Sequence, residues 1–258
     1  MARALVTGAG QRMGRAMALE LARAGLDVAV HYASSEVGAQ EVVDEIRAMG
    51  RKAVALKADL LDEAQTAALV PRAAKALGGP LTTLINNASI FEHDTLETAT
   101  LQSWDRHIGS NLRAPFVLTQ AMAADVPPPL MDENNEPVAQ ALVVNMVDQR
   151  VLKLTPHFIS YTIAKMGLWA FTQTAAQGLA PRVRVNAIGP GPTIQGYRQS
   201  EDHFNAQRAA TILERGVNTH DITAALRYFL SAPAVTGQLL CVDSGQHLAW
   251  RTADILDQ

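Results

Sequence analysis

The chain has 258 residues, 48% hydrophobic and 18% charged, the profile of a globular protein rather than a disordered one. Its formal net charge of −3 comes with no Lys/Arg run, which excludes a basic surface for nucleic acid or an anionic membrane and leaves small molecules or further copies of the chain as expected partners. One cysteine, Cys241, excludes an internal disulfide framework, and no apolar run approaches the roughly 18 residues of a membrane span.

A strand pattern begins almost at once, leaving no room for a signal peptide, so the expected compartment is the cytoplasm. The seven histidines show no metal-site spacing, so no metal is expected.

Residues 3–7 (RALVT) form a short apolar strand that runs into GAGQRMG, residues 8–14, and then into a helical pattern carried by Met13, Ala16, Met17, Leu21 and Ala24. Strand, glycine turn and helix together make a phosphate cradle, because glycine lets the backbone approach and the helix N-terminus offers free N–H groups. The other reading is a tight βα turn that needs glycine for geometry alone.

A second strand over 26–32 ends in HYASSE with no Asp or Glu at the position that would bind a ribose 2′-hydroxyl. Ser34, Ser35 and Arg12 offer hydroxyls and a positive charge there instead, which favours NADPH over NADH. Ser35 could equally cap the helix expected over 36–49.

A strand over 53–57 leads to Asp59-Leu60, where Asp59 could cap the next helix, beginning near Glu63. Residues 83–88 (TLINNA) form the fourth strand, closing on Asn87, Ala88 and Ser89. Phe91 follows, as core or as a flat ligand-binding face. Residues 101–123 read as one long helix containing Asn111, and 125–137 as a surface excursion rich in Pro, Asn and Asp.

The fifth strand, AQALVVNMV, delivers Asp148, and Tyr161-x-x-x-Lys165 follows on a helix. Four residues apart on one helix face, a Lys165 ammonium near the Tyr161 phenol would favour phenolate and lower its pKa from about 10, making Tyr161 a general acid. The spacing alone also fits a surface Lys above a half-buried Tyr. A sixth strand over 184–188, the turn GPGPT with Pro190 and Gly191, a helix over 221–230 and a last strand over 238–242 complete the pattern. Strands alternating with helices predict a single α/β domain over 1–258 with a parallel seven-stranded sheet, doubly wound, its ligands at the carboxyl ends of the strands.

These motifs resemble those of the short-chain dehydrogenase/reductase family. The loop Thr7-Gly8-x-x-x-Arg12-x-Gly14 is similar to its TGxxxGxG element with Arg12 for the middle glycine, and Asn86-Asn87-Ala88-Ser89 to its NNAG element with serine for glycine. Both replacements resemble the pteridine and dihydromonapterin reductases of that family, as does Asp148 where most members carry serine. The resemblance implies an NADP-dependent Rossmann-fold reductase, with Asp148, Tyr161, Lys165 and Asn111 as catalytic residues. For the cofactor it implies Gly8, Arg12, Met13, Gly14, Tyr32, Ser34, Ser35, Asp59, Leu60, Asn87, Ala88, Ser89, Tyr161, Lys165, Pro190 and Gly191. The substrate would meet Arg12, Ser89, Phe91, Asp148 and Tyr161, capped by about 194–216. Lys165 would bind the nicotinamide ribose, and Asn111 would hold a water through its backbone. A homotetramer is expected, its tail over 247–258 reaching a neighbour. The rival readings are a reductase of another carbonyl, such as an oxoacyl or sugar ketone, and an NADPH-binding regulator without activity.

Overall fold

A computed structural model describes residues 2–195 and 200–250 of the chain. Of the expected substrate cap, 196–199 lie outside these residues, as does the tail beyond Trp250.

Seven parallel strands form the central sheet: β1 Arg3–Val6, β2 Asp27–Tyr32, β3 Ala53–Lys57, β4 Thr83–Asn86, β7 Ala141–Met146, β8 Val183–Pro190 and β9 Leu239–Val242. They lie in the order β3-β2-β1-β4-β7-β8-β9. The strands are short and buried on both faces, and alternate side chains feed two cores. Ala4, Val6, Val28 and Val30 pack with Met17 of α1 (Arg12–Arg23), Ile46 of α2 (Glu36–Ala48) and Phe229 of α8 (Thr219–Ser231). Leu5, Leu84, Val143 and Val185 face the other way, against Leu69 of α3 (Glu63–Leu77), Met122 of α5 (Ala114–Ala124) and Ala176 of α6 (Ile159–Leu179). The winding reverses between β1 and β4, so the crevice at their carboxyl ends is where a doubly wound sheet takes its ligand.

Four expectations need correction. The long helix over 101–123 is interrupted: α4 (Leu101–Ile108) passes into a π-helical turn at Gly109–Arg113 before α5 resumes, with Pro115 in its first turn. The excursion over 125–137 contains a small antiparallel hairpin, β5 (Leu130–Met131) with β6 (Pro137–Val138). Its turn closes because the Asp132 carboxylate accepts the N–H groups of Asn134 and Glu136, while Asn135 takes the left-handed conformation that Asn tolerates. Asp62 rather than Asp59 caps α3, accepting from Gln65 N. Ser35 stands at the N-cap of α2 without making a side-chain cap bond. Among the described residues of the expected cap lies one helix, α7 (Glu201–Ala209).

Candidate active site

The glycine loop after β1 is tied down from two sides. Asn87 donates from its side-chain amide to the carbonyls of Thr7 (2.8 Å) and Gly8 (3.1 Å), and the Thr7 hydroxyl accepts the N–H groups of Asn87 and Ala88. On the other side, buried His31 accepts the Gly8 N–H at Nδ1 (3.0 Å) and bonds the Ala58 carbonyl through Nε2 (3.1 Å). The donor at Gly8 fixes the neutral tautomer with its proton on Nε2. Burial accordingly pulls the His31 pKa down to about 4. Sequence reading missed His31, which reads as an ordinary strand residue, and gave the Thr7 hydroxyl no role.

Helix α1 starts directly on this loop. A Cβ on Gly14 would stand 2.2 Å from the Gly8 carbonyl oxygen, so helix and loop touch backbone to backbone. Gln11 provides no side-chain cap and the first turn has no acidic residue, which leaves amide donors and a partial positive charge for an anion. Arg12 takes φ 55°, the left-handed conformation that explains why the related loop pattern has glycine there. Its guanidinium donates to the carbonyls of Ile194 and Gln195, clasping the segment that leads into the expected cap. Ser34 and Ser35 lie beside this loop at the end of β2, and a Cβ on Gly10 would meet the Ser35 hydroxyl. Tyr32 is buried here, its pKa raised by burial and then by the nearby Glu36 carboxylate.

Asp148 follows β7 and opens a short 3₁₀ turn, accepting the Arg150 N–H at 2.8 Å. The Tyr161 hydroxyl donates to its other carboxylate oxygen at 2.9 Å. This overturns the expected lowering of the Tyr161 pKa: burial first, then the charge and hydrogen bond of Asp148, raise it well above its ordinary value. Lys165 is buried, with Nζ donating to the Met146 carbonyl at 2.6 Å and lying 5.6 Å from the Tyr161 ring centroid. Desolvation pulls its pKa to about 8. Helix spacing thus brought the pair together as expected, but burial of the phenol, reinforced by the carboxylate to which its hydroxyl turns, decides the direction of the shift.

Asn111 sits fully buried in the π-helical turn, its side chain spent on Ile90: Oδ1 accepts the Ile90 N–H (2.9 Å) and Nδ2 donates to the Ile90 carbonyl (2.8 Å). That clasp holds the segment carrying Ser89 and Phe91. Ser89 is exposed, and its hydroxyl donates to the Ile90 carbonyl at 3.4 Å. Phe91, 53% exposed, is not core; it meets the Tyr161 ring edge-on at 4.7 Å and stacks on Phe158 at 4.3 Å. Arg150 lies over the other partner of that stack, 5.1 Å from the Phe158 centroid. Phe158 and Arg150 were missed because they come together only through space, Phe158 in a left-handed conformation unusual for a bulky residue.

Ser89, Phe91, Asp148, Tyr161 and Lys165 therefore converge, and Gly8, Gly14, Asn87 and Ala88 pack together beside them, whereas Met13, expected at the cofactor, packs against the core. Pro190 and Gly191 end β8 beside it, where a Cβ on Gly191 would meet Asp243. Asp59 and Leu60 sit beyond β3, at the far edge from Tyr161.

Residues 2–205 match the family pattern described as short chain dehydrogenase. The chain is 32% identical over 250 residues to the 3-oxoacyl-[acyl-carrier-protein] reductase FabG of Staphylococcus aureus, covering 95% of this chain and 98% of that one. Among solved structures, FolM alternative dihydrofolate reductase 1 from Brucella canis, complexed with NADP, superposes with a TM-score of 0.90 at 39% identity, covering 99% of this chain and 97% of the other. A blue fluorescent protein from a metagenomic library, in complex with NADPH, gives a TM-score of 0.86 at 30% identity over 95% of this chain and 97% of its own.

Proposed function

The chain belongs to the short-chain dehydrogenase family, and from that premise we propose that it is an NADPH-dependent reductase of a pterin-type ring, of the dihydrobiopterin, dihydromonapterin or dihydrofolate class. The observation that carries the reading is the Tyr161–Asp148 hydrogen bond at 2.9 Å, in a family whose usual partner at this place is serine.

The cofactor is NADPH/NADP, and the loop fits it: a helix end without a side-chain cap or acidic side chains, glycines packed too closely for a Cβ, and the Ser35 hydroxyl beside Gly10, while Arg12 is engaged with the Ile194 and Gln195 carbonyls. When bound, it supplies a hydride to carbon. Reducing a C=N bond then requires one proton at nitrogen. The raised Tyr161 pKa keeps the phenol protonated, and its hydrogen bond joins it to a carboxylate that can take a proton from solvent and pass one on. Lys165, with one carbonyl partner for three N–H donors, is placed to hold ribose hydroxyls. Asn111 acts through its backbone, because its side chain is committed to Ile90. Ser89 and the exposed face of Phe91 offer a hydroxyl and a flat apolar surface to a planar heterocycle.

A second reading, reduction of a ketone, is favoured by the likeness to FabG. An ionised Asp148 opposes it, since negative charge develops on a ketone oxygen during hydride addition. Asp148→Ser separates the two. On the pterin reading the variant loses about 100-fold or more in pterin turnover, the scale of a lost general acid, and gains on simple ketones. Undiminished pterin turnover would overturn the reading.

A further inference from the structure

Helix α6 carries both Tyr161 and Lys165, yet its own N-cap residue, Phe158, provides no side-chain cap. The cap comes from Asp94, 66 residues away in sequence from Ser160. Its main-chain carbonyl accepts the Phe158 N–H at 2.7 Å, and its carboxylate accepts the Ser160 N–H at 3.3 Å and, closely, the Ser160 hydroxyl. Burial alone would raise the Asp94 pKa, but the bonds from Ser160 and Ser103 outweigh it and hold the carboxyl below its usual range.

The Ser160 hydroxyl also meets Nδ1 of His107 at 2.7 Å, and Nε2 of His107 accepts the Glu92 N–H at 3.1 Å. Asp94, His107 and Ser160 are all 2% exposed or less. With Glu92 N–H as donor, Nε2 must be bare, so Nδ1 carries the proton and donates to the Ser160 oxygen, which in turn donates to Asp94. Every bond in the chain therefore has one direction. The chain also bridges the two halves of the site. His107 lies on α4, about one turn before Asn111 of the π-helical segment, and its ring packs edge-on near Tyr161 at 6.0 Å.

We infer that Asp94, His107 and Ser160 are positioning residues whose one-way hydrogen-bond chain sets the first turn of α6, and with it the Tyr161 hydroxyl, against Asp148. None of the three touches the reacting atoms. The inference rests on Tyr161 as the proton donor and not on the identity of the substrate.

The test uses the full chain with NADP bound and whichever pterin or ketone the unaltered enzyme turns over. Ser160→Ala and His107→Leu break the chain, whereas His107→Asn keeps an N–H at the position of Nδ1. The first two should lower kcat by about tenfold or more, the scale of a sub-ångström misplacement of a reacting group, with the NADPH Kd unchanged as the sign of an intact fold. His107→Asn should restore most of that loss. Nitrogen NMR of the histidine rings, which needs no turnover, should show His107 protonated on Nδ1 and bare at Nε2. Unchanged kcat in both breaking variants, failure of His107→Asn to restore it, or an Nε2-protonated ring would each overturn the inference, whereas a wrong substrate class would alter none of these readouts.

Discussion

His31 makes a quantitative prediction about pH. The ring is 1% exposed and holds Gly8 N–H only while neutral, and its pKa falls from 6.5 to about 4 through burial. Because the folded value is depressed, the unfolded chain binds the proton more readily between those limits. The contribution is complete above pH 6.5 and is lost as pH falls toward 4. At about 1.4 kcal/mol for each tenfold change in proton affinity, the whole difference is worth about 3 kcal/mol, of which about 2 kcal/mol is lost between pH 7.5 and 5. That is a substantial part of a stability of roughly 5–15 kcal/mol. His31→Gln keeps hydrogen-bonding groups but cannot titrate. Urea unfolding of both proteins at pH 7.5 and 5 isolates the term, since every other titrating group is shared. The unaltered protein should lose about 2 kcal/mol more than the variant, and equal losses would refute the reasoning.

Three further outcomes follow from the site. Lys165 is charged below about 8 and loses its proton above it, so kcat/KM should fall on an alkaline limb near pH 8; Lys165→Gln should be slow throughout and lack that limb. Gly14→Ala would put a Cβ 2.2 Å from the Gly8 carbonyl oxygen, a backbone clash that should cost about 1–3 kcal/mol in thermal unfolding. NADPH binding to the same variant, followed by fluorescence titration, should weaken severely, because the clash lies within the loop proposed to hold the phosphates.

Much of the fold was legible because short apolar strands alternate with helical periods, and a sheet covered on both faces follows from that pattern. The turn from Gly8 to Gly14 between β1 and α1, and the placing of Tyr161 and Lys165 on one helix, were legible because both are local in sequence. What stayed hidden was nonlocal. His31, Thr7 and Asn87 act as one brace only after β1, β2 and β4 pair. The break at Gly109–Arg113 follows no helix-breaking run, and Asn111 is tolerated there because Ile90 satisfies its side chain. The direction of the Tyr161 shift was misjudged because spacing placed the lysine but not the burial of the phenol, nor the carboxylate thirteen residues earlier that takes its hydroxyl. Asp94 capping α6 has no sequence signature, since α4, α5 and β7 all lie between cap and helix.

The most direct test of the account is NADPH oxidation by the purified protein with 7,8-dihydrobiopterin and dihydromonapterin, run beside simple ketones and an acetoacetyl thioester. Proton delivery from Tyr161 with Asp148 predicts turnover on the pterins and little on the ketones. Turnover on the thioester or ketones alone would contradict it, and would mean that Asp148 works in its protonated form beside a carbonyl oxygen.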